Sequence, residues 1–178
     1  MGRPKRIALG GYVYHVLNRA NGRLRIFKKG GDFEAFEQIL SASPGTVGIG
    51  HQYQGRYKSF PVQDNAYYLT VMRYVEGNPV RAGIVEQAGD RRWSSFAVRE
   101  GRASKVGLAE GPLALPGDWE GLVDRQVDAG AAEQIGRSMK RGCPLGDGDW
   151  IAKTAKELNL ESTLRGKGRP KKVPDTFS

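Results

Sequence analysis

The sequence is poor in the residues that most often carry chemistry. It has one cysteine, Cys143, and two histidines, His15 and His51, in 178 residues. A lone cysteine excludes a disulfide framework and a cysteine zinc cluster. Apolar runs are only a few residues long, so no transmembrane helix is expected. No apolar stretch follows the basic start, so a secretory leader is not expected either. Leu, Ile, Val and Phe make up only about a fifth of the chain, a thin supply for a core. Acidic residues are absent from 1–31, where eight basic side chains stand. The chain reads as soluble and cytoplasmic.

What is abundant is positive charge and glycine. The formal net charge is +9 and the pI is near 9.8. The charge gathers at both ends: residues 137–172 hold ten basic residues against four acidic ones. Such a distribution is the footprint of phosphate contacts, with nucleic acid as the simplest partner and association with the nucleoid as the expected location. The plainer alternative is a basic protein without a polyanion partner.

Periodicity gives a coarse map. Residues 11–18 predict a strand, with β-branched and aromatic residues after a Gly-Gly turn. Asp32 predicts a cap for a helix over 33–41, with Phe33, Phe36, Ile39 and Leu40 on one face. Residues 56–63 predict a second strand, weakened by Pro61. Asp64 predicts the cap of a helix over 65–77, with Tyr68, Val71, Met72 and Val75 as its apolar stripe. Asn78-Pro79 predicts its end. Asp149 predicts the cap of a short helix over 150–158, stopped at Asn159. The stretch 99–136, mixed and Gly/Ala/Pro-rich, reads as a linker between a domain over 1–98 and a basic C-terminal extension over 137–178.

Four segments in order carry a resemblance. They are Tyr14-His-Val-Leu-Asn-Arg-Ala-Asn-Gly22, Gly50-His-Gln-Tyr-Gln-Gly-Arg-Tyr-Lys-Ser-Phe-Pro-Val62, Arg73-Tyr-Val-Glu-Gly-Asn-Pro-Val-Arg-Ala-Gly83 and Trp93-Ser-Ser95. The set resembles the REP-associated tyrosine transposases, relatives of the single-tyrosine insertion-sequence transposases. The last thirty residues resemble the basic tail of some members. The resemblance implies an α+β, ferredoxin-like sandwich acting on hairpin-forming single-stranded DNA. It implies Tyr74 as the nucleophile that forms a 5′-phosphotyrosine, Asn78 as one metal ligand, and a divalent ion, Mg or Mn, as cofactor. A phenol with pKa near 10 needs such an ion to polarise the phosphate. On spacing alone, Tyr74 reads first as a border of the apolar stripe and Asn78 as a helix stop.

The sequence also departs from the family. The histidine–hydrophobe–histidine strand that supplies two metal ligands is missing, and with it the two central strands expected between Leu40 and the His51 segment. The chain therefore resembles an internally deleted member, with the junction near 41–46, an incomplete sandwich and no tightly bound metal. A site rebuilt from His15, His51 and Asn78 is the weaker alternative.

The candidate nucleic-acid-binding residues are Arg3, Lys5, Arg6, Arg19, Arg23, Arg56, Lys58, Arg81, Arg169, Lys171 and Lys172. The Gly-Arg-Pro cores at 2–4 and 168–170 fit an A·T-rich minor groove, or serve as solvated cationic tails. Arg56-Tyr57-Lys58 suits stacking and charge contact with a single strand, or a half-buried strand with basic edges. Trp93 and Trp150 read as core anchors rather than stacking platforms, and Cys143 as inert. Two functions follow: a metal-dependent tyrosine transposase, or a non-enzymatic DNA-binding remnant. The second is expected, unless the deletion reflects a damaged gene with no stable product.

Overall fold

The computed structural model of the chain describes residues 9–17, 27–42 and 57–166. These residues form an α+β arrangement with one two-stranded antiparallel sheet. Strand β1 (Val13–Leu17) pairs with β2 (Lys58–Val62), placing His15 opposite Phe60 and Tyr14 opposite Pro61. Pro61 costs this ladder nothing. Its carbonyl accepts from Leu145 N at 2.9 Å on the far edge of β2. A residue's nitrogen and carbonyl point to the same side of a strand, so the missing N–H faces away from β1. Gln63 N donates to Leu145 O at 2.9 Å, completing a short parallel bridge.

The helices are α1 (Gly30–Ala42), α2 (Ala66–Glu76), α3 (Asn78–Arg81), α4 (Ser95–Arg99), α5 (Trp119–Asp124), α6 (Ala129–Arg141), α7 (Gly148–Glu157) and α8 (Glu161–Leu164). Three expected caps are corrected. Asn65, not Asp64, caps α2, its Oδ1 accepting from Tyr67 N at 3.0 Å. Asp147, not Asp149, caps α7 through Trp150 N at 2.9 Å. Asp32 stands inside the first turn of α1 and reaches back to Lys28 N and Lys29 N at 2.8 and 3.1 Å. At α2 and α7 two short polar residues compete and tertiary position selects one, whereas at α1 the helix begins two residues earlier, at Gly30.

Helix α2 is central, because it faces two cores. On one side Val71 joins Phe60, Val62, Ile135 and Leu145, with Tyr74 and Val75 packed against them. On the other, Leu69 and Met72 pack against Ala88, Phe96, Trp119 and Val123. The stretch 99–136, expected as a linker, thus holds α5 and most of α6 and supplies buried Trp119, Val123 and Ile135. Its longer apolar residues are scattered among Gly, Ala and Pro; Trp119, Val123 and Ile135 are placed in a core, whereas Leu108 and Leu113 stay exposed. The segment after 137 is likewise integrated. Cys143, Leu145, Ala155 and Leu158 are buried, and Tyr12 donates a hydrogen bond to Glu157. Trp150 is half-buried, edge-on to Tyr12. Helix α6 ends at Gly142, whose φ of 73° is the left-handed conformation glycine adopts without cost. Asn159, at φ 53°, does the same after α7.

Candidate nucleic-acid interface

The bend between α2 and α3 brings together three of the residues singled out in the sequence. Helix α2 ends at Glu76, just before Asn78-Pro79, as the sequence predicts, and the chain continues. It turns at Gly77 and starts α3 with Pro79 in the first turn, where its missing N–H is harmless. Gly77 is required by space. A Cβ there would meet Arg73 O at 3.0 Å and Val123 O at 3.2 Å. Arg73 fastens the same corner by donating to Leu122 O at 3.0 Å and to Gln126 O.

Beyond the bend, the Arg81 guanidinium lies 3.8 Å from the centre of the Tyr74 ring. It donates to Tyr74 O at 3.3 Å and to Asn78 Oδ1. Arg81 and Asn78 are exposed, and Tyr74 is half-buried against the first core. The expected nucleophile, metal ligand and DNA-contacting arginine therefore form one cluster. Two of the five guanidinium donors are used inside it, which fixes the group and leaves donors for a phosphate.

The donor set does not fit a divalent ion. Asn78 offers a neutral carboxamide oxygen already bound to a cation. Glu76, two residues before, turns away into the core and is 1% exposed. It accepts from Trp119 Nε1 at 2.8 Å, Ser95 Oγ at 2.7 Å and Arg99 Nε at 3.1 Å. Among the described residues no group of three or more His, Cys, Asp or Glu is placed to hold a metal. His15 lies on β1 with its ring 5.0 Å from Phe60, and its buried Nε2 has no hydrogen-bond partner. Burial pushes the His15 pKa below the ordinary 6.5, so the ring is held neutral at neutral pH.

Lys58 is exposed at the start of β2 and makes no hydrogen bond or ion pair to Tyr74, Asn78 or Arg81. His51, Arg3, Lys5, Arg6, Arg19, Arg23, Arg56, Arg169, Lys171 and Lys172 lie outside the described residues, as do the 43–46 part of the expected junction and the Gly-Arg-Pro cores. Arg91 and Arg92 are not among the sequence-predicted site residues. Arg91 stands 5.0 Å over the Phe33 ring, and Arg92 4.5 Å over Trp93. The signal was available, because Arg91-Arg92-Trp93 has the same cation-aromatic mixture as Arg56-Tyr57-Lys58. No helix among the described residues is long and apolar enough to cross a membrane. Comparison with family models, curated proteins and solved structures gives no match to this chain.

Proposed function

We propose that the chain is a DNA-binding protein of tyrosine-transposase descent in which the cleavage centre has become a phosphate contact. The observation that carries this reading is the Tyr74–Asn78–Arg81 cluster. The guanidinium occupies the carboxamide oxygen that a transposase would offer to its metal. A positioned arginine binds phosphate through charge and paired N–H donors. It does not supply a coordination site from which the phosphate could be polarised and the leaving oxygen stabilised together. The basic ends of the sequence and the +9 charge add affinity without sequence reading. On this reading β1, β2 and α2 are the remaining part of an incomplete ferredoxin-like sandwich. Leu145 takes the edge of β2 that a lost central strand would have filled.

The substrate class is hairpin-forming or single-stranded DNA. The test is to mix the full chain with a hairpin oligonucleotide and Mg²⁺ or Mn²⁺, and to resolve the products on a denaturing gel. The expected result is DNA binding without a covalent protein–DNA adduct. An adduct that Tyr74→Phe abolishes would instead establish an active transposase.

A further inference from the structure

A second site lies between α1 and the segment that follows α4. A cavity of about 310 Å³ opens there, walled mainly by Phe27, Phe33, Phe36 and Trp93, with Leu108 among its lining residues. That volume is at the lower end of small-ligand sites. Three of its rings form a ladder. Phe27 stacks on Phe33 at 4.7 Å between centroids, and Phe33 on Trp93 at 5.3 Å with only 9° between planes. The wall carries one carboxylate, Glu37, and Ser104 Oγ donates to Glu37 Oε1 at 2.9 Å. The second carboxylate oxygen is left as an acceptor. Two guanidiniums, those of Arg91 and Arg92, stand over rings that line the cavity, and Arg92 is also paired with Glu34 Oε1 at 3.4 Å.

This is an amphipathic recognition set: flat apolar walls, one acceptor, and cations beside the rings. A planar heterocycle with an N–H edge and an attached anionic group satisfies all three parts. An aliphatic ligand would leave Glu37 unused, and an organic cation would be repelled by Arg91 and Arg92. We infer that this cavity binds one unpaired nucleotide, its base against the aromatic wall, its amino edge donating to Glu37, and its phosphate toward Arg91 at the rim. A carboxylate only accepts, so adenine, cytosine and guanine are favoured. Thymine is disfavoured, because it flanks its single N–H with two carbonyls. The nucleotide could be free or part of a strand. The strand form rests on the DNA-binding reading given above, whereas the free form does not.

The experiment uses the full chain and three probes. The first is a short duplex with a single-stranded overhang carrying 2-aminopurine. The second is the same duplex with an abasic overhang. The third is free 2-aminopurine deoxyribonucleoside monophosphate. The base-bearing overhang is expected to bind roughly tenfold more tightly than the abasic one, with its fluorescence quenched, as base–aromatic stacking gives. Leu108→Trp fills the cavity from a residue that is 39% exposed. It is expected to erase that tenfold difference while leaving blunt-duplex affinity and the melting temperature unchanged. Glu37→Gln is expected to remove the preference for amino-bearing bases over thymine in the overhang.

Equal affinity for the base-bearing and abasic overhangs would overturn the cavity's role and leave the DNA-binding reading standing. Saturable binding of the free nucleotide, sensitive to Leu108→Trp but without DNA binding, would support the cavity and end the DNA-binding reading. Failure of all three probes to bind would overturn both.

Discussion

The indole N–H of Trp119 donates to the buried carboxylate of Glu76 at 2.8 Å, joining α5 to α2 across 43 residues of sequence. With Ser95 and Arg99 on the other carboxylate oxygen, this network holds three helices together. Glu76→Ala leaves the Arg99 guanidinium and the Trp119 N–H without their acceptor. It is expected to cost about 3 kcal/mol, read as a lower midpoint in urea unfolding. Trp119→Phe removes the one donor to Glu76 Oε2 and is expected to cost about 2 kcal/mol. A Glu76→Ala midpoint equal to wild type would mean the network contributes nothing.

The bend at Gly77 makes a steric prediction. A methyl group there meets two backbone carbonyls, Arg73 O and Val123 O, and neither can swing away. Gly77→Ala is expected to destabilise the fold by about 1–3 kcal/mol and to loosen α5 from α2. Because Gly77 has φ −80°, the cost arises from crowding. Gly83, at φ 64° with open space around its Cβ position, is the contrast. Gly83→Ala is expected to strain the backbone without crowding a neighbour. Circular dichroism melts of the two variants would separate these causes.

His15 predicts a pH dependence. Its folded pKa is depressed by burial, so the unfolded chain binds the proton more readily. The resulting stability is fully present above the unfolded value near 6.5. It is lost as pH falls below 6.5 toward the folded pKa. Wild-type melting temperature is expected to drop between pH 7.5 and 5, and His15→Leu is expected to reduce that drop. An identical drop in the variant would place the titration elsewhere.

Asp147 acts in the same direction as His15 but in a more acidic window. Its carboxylate accepts from Trp150 N and from Gln63 Nε2, and these bonds hold its pKa below 3.8. Its contribution is present above about pH 4 and fades as pH falls through the depressed value. Asp147→Ala is expected to lower the melting temperature at pH 7, with the difference from wild type shrinking in acid. Asp147→Asn, which keeps an acceptor, is expected to lose less.

The two strands and the main helices were legible because their patterns are local. β-Branched and aromatic runs mark β1 and β2, and the Tyr68, Val71, Met72 and Val75 stripe marks α2. The role of 99–136 was not legible. Trp119, Leu122 and Val123 do have helical spacing, but the run is a single turn among Pro116, Gly117 and Gly121, and the partners of Trp119, Val123 and Ile135 lie on α2, β2 and the turn at Ala88. Glu76 could be read as pointing away from Asn78, but its three donors come from α4 and α5. Within the candidate site, Tyr74, Asn78 and Arg81 share a helical face by spacing, which is why the sequence grouped the first two. That Arg81 would fold back onto both depends on the turn at Gly77, which only packing against α5 explains. Trp93 reads from its sequence as a core anchor, yet it is half-buried and lines a cavity.

On the proposed reading Arg81, fixed over Tyr74, contacts a DNA phosphate. The most direct measurement is the affinity of the full chain for a hairpin oligonucleotide across a salt series, for wild type and Arg81→Gln. Log K is expected to fall linearly with log salt at about −0.7 to −0.9 per phosphate neutralised, with several phosphates involved. Arg81→Gln should make the slope shallower by about one phosphate. An affinity independent of salt, no binding at about 50 mM salt, or an Arg81→Gln slope identical to wild type would contradict it.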